Sequence, residues 1–189
     1  VTCTVLVADP PWRFADKLPG PKRGAASHYP TLSLGEIRCF PLPALADDAH
    51  LFLWRVASMQ LEALEVATAW GFQVKSEIVW LKRTTHGKRH FGMGRRVRLE
   101  HEVCLICTRG RPPVRDHSVR SAFAAALPDR KHSAKPPEFF AIVERLCGPA
   151  DPSTHFELFA RAPRPGWSTF GNELEHAHPP LTQEGEPLR

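Results

Sequence analysis

The sequence predicts an α/β domain built on a mostly parallel sheet. Three observations carry this: short apolar runs that read as buried strands, helix-patterned segments alternating with them, and a stiff acidic motif directly after the first run. The 189 residues, 42% hydrophobic and 24% charged, have the size and balance of one soluble globular domain. Residues 1–175 are assigned to that domain and residues 176–189, polar and Pro-rich, to a disordered tail. No apolar run reaches the length of a membrane span and no secretory pattern opens the chain, so a cytoplasmic location is expected.

Thr2 to Val7 reads as the first buried strand, and Ala8-Asp9-Pro10-Pro11-Trp12 follows its C-terminal end. In an open α/β sheet that edge is where ligands bind. Two consecutive prolines fix φ and carry no N–H, which stiffens the turn and leaves its carbonyls free to accept. Asp9 and the Pro10 carbonyl can therefore converge on one pair of donors while Trp12 offers a flat face. The exocyclic amine of a purine fits such a place, because its nitrogen is a poor nucleophile until acceptors hold its two N–H groups. The plainer reading is a turn-forming Asp with a packed Trp12. The four-residue string after a hydrophobic strand favours the functional one.

Arg13 to Pro30 reads as a mobile loop carrying Lys17, Lys22 and Arg23. Ser33-Leu34-Gly35-Glu36 has capping-box spacing and starts a short helix. His50 to Trp54 is a second strand, Ser58 is expected to cap a helix from Met59 to Trp70 ended by Gly71, and Phe72 to Leu81 is a long strand. Lys82 to Leu99 carries Lys82, Arg83, Lys88, Arg89, Arg95, Arg96 and Arg98 without one acidic residue. A charge run alone is usually a solvated face. This one leaves a strand end in the sheet that holds Asp9, in a chain of net charge +5, so it is read as a phosphate-contacting loop.

Glu102 to Thr108 is another strand, and Gly110 to Arg130 reads as a second irregular loop. Cys104 and Cys107 form a lone CxxC inside that strand; without a second ligand pair they are read as buried thiols, and no metal is expected. Lys135-Pro136-Pro137-Glu138 opens a helix with Phe139, Ile142, Val143 and Leu146 at helical spacing, ended by Gly148. Thr154 to Phe159 and Trp167 to Glu173 are the last strands. A GxGxxG loop is absent. Instead Glu157 and Arg161 bracket one strand and Glu173 ends the next, about where a βαβ unit places its ribose-binding acid. Lys135, just before a helix N-terminus, is placed to meet a carboxylate. Together these suggest a small ligand carrying a ribose and a carboxylate.

Several strings occur in a telling order: Asp9-Pro10-Pro11-Trp12, Tyr29-Pro30-Thr31-Leu32-Ser33, Leu51-Phe52-Leu53-Trp54, Ile78-Val79-Trp80-Leu81-Lys82, Lys135-Pro136-Pro137-Glu138, Glu157-Leu158-Phe159-Ala160-Arg161 and Gly171-Asn172-Glu173. In this order the chain, over roughly residues 4–174, resembles the MT-A70 family of S-adenosylmethionine-dependent adenine methyltransferases. The resemblance implies a Rossmann-like class I methyltransferase fold with helices on both faces and the catalytic motif ahead of the cofactor strand. It implies that Asp9 and Pro10 hold the target amine, with Pro11 and Trp12 completing the motif and Trp12 lining the base pocket. Asp9, Lys135, Glu157, Arg161, Asn172 and Glu173 would then face S-adenosyl-L-methionine, Lys135 meeting its methionine carboxylate. Tyr29, Lys82, Arg95, Arg96, Arg98 and Glu102 are assigned to the substrate side.

Two departures stand out. Relatives often have His-Asn shortly after the arginine matching Arg161, where this chain has Pro163 and Arg164. The chain also begins eight residues before Asp9, so an upstream segment that contacts the cofactor adenine in larger members is expected to be missing, and a second copy or a partner chain could cover that edge. The expected activity is methylation of the exocyclic amine of adenine in nucleic acid, with DNA favoured over RNA because the small size resembles bacterial and phage members. The alternatives are an RNA adenosine methyltransferase and a catalytically silent nucleic-acid-binding subunit. The intact Asp9 motif argues against the silent subunit. Protein-amide methylation is disfavoured because such sites resemble Asn-Pro-Pro-Tyr.

Overall fold

Strands and helices alternate as far as Arg83, as the apolar pattern requires, and strands predominate after it. The structure is a computed structural model that describes residues 2–13, 31–92, 94, 96–128, 134–171 and 174. The elements are β1 (Cys3–Ala8), α1 (Leu34–Arg38), β2 (Leu45–Arg55), α2 (Gln60–Ala69), β3 (Gln73–Arg83), β4 (His101–Arg109), β5 (Ala122–Ala126), α3 (Pro137–Cys147), β6 (His155–Leu158) and β7 (Ser168–Phe170). The expected tail over 176–189 lies outside the described residues. Among the described residues no helix is long and apolar enough to cross a membrane.

The strands form one sheet in the order β5-β3-β4-β2-β1-β6-β7. Only β4 runs against the rest, antiparallel to both β2 and β3, so the sheet is mostly parallel. Alternation along each strand divides the core into two layers. Leu6, Ala8, Leu51, Leu53 and Leu105 face α1 and α2, where they meet Ile37, Ala63, Val66 and Ala67. Val5, Val7, Phe52, Trp54, Ile78 and Trp80 face α3 and meet Phe139, Phe140 and Val143. Helices thus cover both faces.

This order positions the site. From β1 the chain passes to β2 and on to β3, returns through β4 between those two, reaches β5 at the edge, then crosses by α3 to β6 on the other side of β1. The connections therefore leave β1 in opposite directions, and a crevice opens beyond its C-terminal end, the usual place for a ligand in such a sheet.

Local chemistry explains several elements and corrects others. The Ser33 box forms as expected: the Ser33 hydroxyl accepts from the Glu36 N–H at 3.3 Å, and Glu36 accepts from the Ser33 N–H at 2.7 Å. Pro136 is the N-cap of α3 and Pro137 its first residue, where a missing N–H costs nothing. Ser58 does not cap α2. The helix begins one residue later, at Gln60, with Met59 at the N-cap and no side-chain bond there. The irregular loop expected from Gly110 to Arg130 contains β5, a parallel edge strand on β3 whose Ala125 carbonyl accepts from the Trp80 indole at 3.0 Å. Its Ala-Phe-Ala-Ala-Ala sequence lacks β-branched residues, so pairing with β3 rather than intrinsic preference makes it a strand. Cys104 and Cys107 are free and buried in opposite layers, because a spacing of three on a strand reverses the face. They cannot share a metal ion.

Candidate active site

Asp9 leaves β1 between β2 and β6, with its N–H near the Leu158 carbonyl at 3.5 Å. The carbonyls of the Pro-Pro turn are not free as expected. The Pro10 carbonyl accepts from the Trp12 N–H at 2.8 Å, and the Pro11 carbonyl accepts from the Leu32 N–H at 2.9 Å. A carbonyl oxygen has two lone pairs, so Pro10 keeps one for a further donor. The Leu32 contact belongs to a short bridge between Trp12 and Leu32 that ties together the two ends of the segment from 14 to 30. Tyr29 falls in that segment, outside the described residues.

Trp12 is only 3% exposed and its indole N–H donates to the Trp54 carbonyl at 3.0 Å. It forms a fixed wall of the crevice more than an open stacking platform. With Asp9, Pro10, Arg55, Lys82, Leu99, His101, Glu102, Lys135 and Arg161 it encloses a cavity of about 240 Å³.

Four charges alternate along one side of that cavity. The Lys135 ammonium lies 2.8 Å from Asp9 and 3.1 Å from Glu102, and the Lys82 ammonium lies 2.7 Å from the other Glu102 oxygen. Trp54 adds its ring face 4.9 Å from Lys135. The lysine side chain is 9% exposed, whereas 24% of the Asp9 side chain remains reachable, so both line the cavity and the acceptor is the more open of the two. Burial raises the Asp9 carboxyl above its ordinary value, with Lys135 opposing the shift. Burial acts in the same direction on Glu102, but Lys135 and Lys82 outweigh it and hold that carboxyl at about 2. Burial works against the charge of Lys135, yet Asp9 and Glu102 overcome it and keep the ammonium firmly protonated. Glu102, placed by Glu100-His101-Glu102 at the start of β4, is thus the hinge of the cluster. Lys82, read as a phosphate contact, instead neutralises it.

On the β6 side, Glu157 stands beside Val7 across the β1–β6 ladder. Its carboxylate accepts from Arg164 Nε at 2.9 Å, and the Arg164 guanidinium lies 3.2 Å over the Phe140 ring. Burial raises the Glu157 carboxyl, while Arg164 pulls it down. Arg164, the residue at the family's departure point, therefore has a definite job. Just after β6 the chain turns sharply: Phe159 has φ 64°, a left-handed conformation that costs a bulky residue about 1–2 kcal/mol. Its ring packs 4.6 Å from Phe40, which helps to hold the turn and aims Arg161 into the cavity. At Gly171 a Cβ would collide with the Ala160 carbonyl, so only glycine lets β7 end against that turn. Asn172 and Glu173 follow immediately but lie outside the described residues.

The described residues of the basic segment after β3 make more backbone hydrogen bonds than its glycines suggest. Thr84 to Lys88 makes one tight turn, in which the Thr84 N–H donates to the Lys88 carbonyl at 2.8 Å. Gly92 and Leu99 then pair through two backbone bonds, 2.9 and 3.2 Å, at the base of a second hairpin. Arg96 and Arg98 are exposed on it, whereas Arg95 lies outside the described residues. Arg55, Trp54 and His101 were missed as site residues by the sequence reading. Their signal was positional: Trp54-Arg55 ends β2 and His101 opens β4 at the same sheet edge as Asp9.

Comparison with known proteins gives the family. A family model described as MT-A70 matches residues 3–173. The human N(6)-adenosine-methyltransferase catalytic subunit METTL3 is 34% identical over 180 residues, covering 92% of this chain and 28% of that protein. The type II methyltransferase M.MunI of Mycoplasma sp is 26% identical, covering 96% of this chain and 82% of that protein. The mouse N(6)-adenine-specific methyltransferase METTL4 is 29% identical, covering 92% and 38%. The chain thus spans 28% of the METTL3 relative but most of M.MunI. With the family model running from β1 past β7, the chain belongs to the MT-A70 family.

Proposed function

We propose that this chain methylates the exocyclic amine of adenine in nucleic acid, with S-adenosylmethionine as donor and DNA favoured over RNA. The observation that carries the reading is the Asp9-Pro10 pair of acceptors at the topological switch point, open to a cavity and backed by a buried lysine. The relatives stand on both sides of that choice, a type II methyltransferase at 26% identity and an adenosine-methyltransferase subunit at 34%, so transfer to RNA is the second reading.

The residues present fit the cofactor. An ammonium has three donors, and Lys135 gives two of them to Asp9 and Glu102. One remains for the cofactor's carboxylate, while Glu157 and Arg161 stand at the β6 end of the crevice, where ribose hydroxyls find both an acceptor and donors. When bound, S-adenosylmethionine supplies a methyl group on a positively charged sulfur. Asp9 accepts one amine N–H and the remaining lone pair of Pro10 accepts the other, which fixes the nitrogen's orientation. As that nitrogen gains positive character, the Asp9 carboxylate offsets it from a largely buried position, where the interaction is stronger than in water. Trp12, pinned to Trp54, walls the base. In duplex DNA the adenine must first leave the stack, at a cost of a few kcal/mol.

The test is transfer of a labelled methyl group to random-sequence pools of duplex DNA, single-stranded DNA and RNA, with the product nucleoside identified by mass spectrometry. The expected product is N6-methyldeoxyadenosine, formed faster than its RNA counterpart. Faster transfer to RNA reverses the substrate preference. Cofactor binding without transfer to any pool assigns the chain to a silent subunit.

A further inference from the structure

Large apolar side chains are seldom exposed among the described residues. Among the described residues the exposed large ones are Leu61, Leu64, Phe91, Val97 and Val114, and two of the five belong to one hairpin, Val97 in its loop and Phe91 just outside its closing pair. Phe91 is 49% and Val97 65% exposed. That hairpin closes at Gly92–Leu99, and Leu99 itself lines the cavity beside Asp9. Its turn is tight: the Gly94 N–H donates to the Gly92 carbonyl at 2.9 Å, and a Cβ at Gly94 would collide with the Val97 carbonyl. Arg96 and Arg98 flank Val97 and are exposed with it.

A protein partner would gain little from two isolated apolar tips among arginines. A nucleic acid duplex accepts that pattern, because arginines hold phosphates while an apolar wedge enters the base stack and unstacks a step. We propose that this hairpin opens duplex nucleic acid: Phe91 and Val97 enter the stack next to the target adenine while Arg96 and Arg98 grip the flanking phosphates. The inference rests on the methyltransferase reading and adds the substrate's form, a paired strand. It also supplies what the cavity needs, since an adenine reaches Asp9 only after leaving its partner.

The test is a double variant, Phe91→Ser with Val97→Ser, beside a conservative one, Phe91→Leu with Val97→Ile. Both are assayed on one random-sequence pool presented as duplex and as single strands. The serine variant is expected to lose about tenfold more methylation on duplex than on single strands, and the conservative variant to recover most of it. Equal losses on both forms overturn the proposal, as does no loss at all. A second readout needs no methyl transfer: the emission of 2-aminopurine placed in the duplex pool rises when a base unstacks. Wild-type protein is expected to raise it and the serine variant to leave it low. Equal signals overturn the wedge even where transfer is absent, so a failure of the wedge and a failure of the methyltransferase reading are told apart. A wild-type dimer that the serine variant converts to monomer assigns the tips to a second copy of the chain and also overturns the proposal.

Discussion

Replacing Lys135 by Met removes the ammonium shared by Asp9, at 2.8 Å, and Glu102, at 3.1 Å, while keeping most of the side-chain volume. Deleting one partner of a buried ion pair costs roughly 3–5 kcal/mol, because a charge stays buried without its counterion. Here two carboxylates remain about 6 Å apart or less, and at an effective dielectric constant of about 20 they repel by about 3 kcal/mol. The two proteins differ in pH dependence. In the native chain Glu102 is held down to about 2 from 4.5, so its contribution is present above the ordinary value and is lost as pH falls through that window. In Lys135→Met the facing carboxylates cannot both stay ionised cheaply, and Asp9, already raised by burial, takes the proton. A raised folded pKa favours the folded state at low pH and loses that advantage as pH rises through it. The stability gap between variant and wild type should therefore narrow from about pH 7 to about pH 5, measured by urea unfolding of both proteins. A gap of the same size at both pH values refutes the shared-cation account.

Two further expectations follow from the same coordinates. Exchanging Arg96 and Arg98 together for Ser should weaken binding to all DNA sequences alike and reduce the slope of log affinity against log salt by close to 2, about 0.9 per lost phosphate contact; an unchanged slope returns these arginines to solvent. Gly171→Ala should destabilise the fold by roughly 1–3 kcal/mol in urea, because its Cβ meets the Ala160 carbonyl and lies 2.8 Å from the Ala160 nitrogen; a neutral result shows that this turn can yield.

Much of the scaffold was legible because its signals are local. The apolar run before Asp9, the Ser33–Glu36 box and the Pro136-Pro137 helix start each depend on residues within a few positions, and each forms as read. Signals that depend on a distant neighbour were not legible. β5 is a strand because β3 lies beside it, and β2 extends back to Leu45 although Asp47 and Asp48 interrupt its apolar pattern. Asp9, Pro10, Trp12, Lys82, Glu102, Lys135 and Arg161 were singled out from the sequence, and the fold brings them to one cavity. Their mutual pairing was hidden. No spacing rule tells that Lys135 threads between Asp9 and Glu102, that Lys82 is consumed by Glu102, or that Arg164 answers Glu157. Such pairs join residues remote in sequence, and burial selects them only after the sheet has formed.

The central claim is that Asp9 holds the adenine amine, and Asp9→Asn tests it most directly. The substitution keeps size and turn geometry but replaces a charged two-oxygen acceptor with a group that is half donor. A hydrogen bond to a charged group contributes roughly 1.5–3 kcal/mol, which corresponds to about two orders of magnitude in rate when it is lost where positive charge develops. Nucleic-acid affinity, set mainly by phosphate contacts, should hardly change. Asp9 also anchors Lys135, so the variant's urea stability is measured alongside, to compare folded protein with folded protein. The measurement is single-turnover methylation of an adenine-containing DNA pool beside a binding isotherm for the same variant. The account predicts a rate about a hundredfold lower with affinity preserved; a folded Asp9→Asn protein that methylates at the wild-type rate contradicts it.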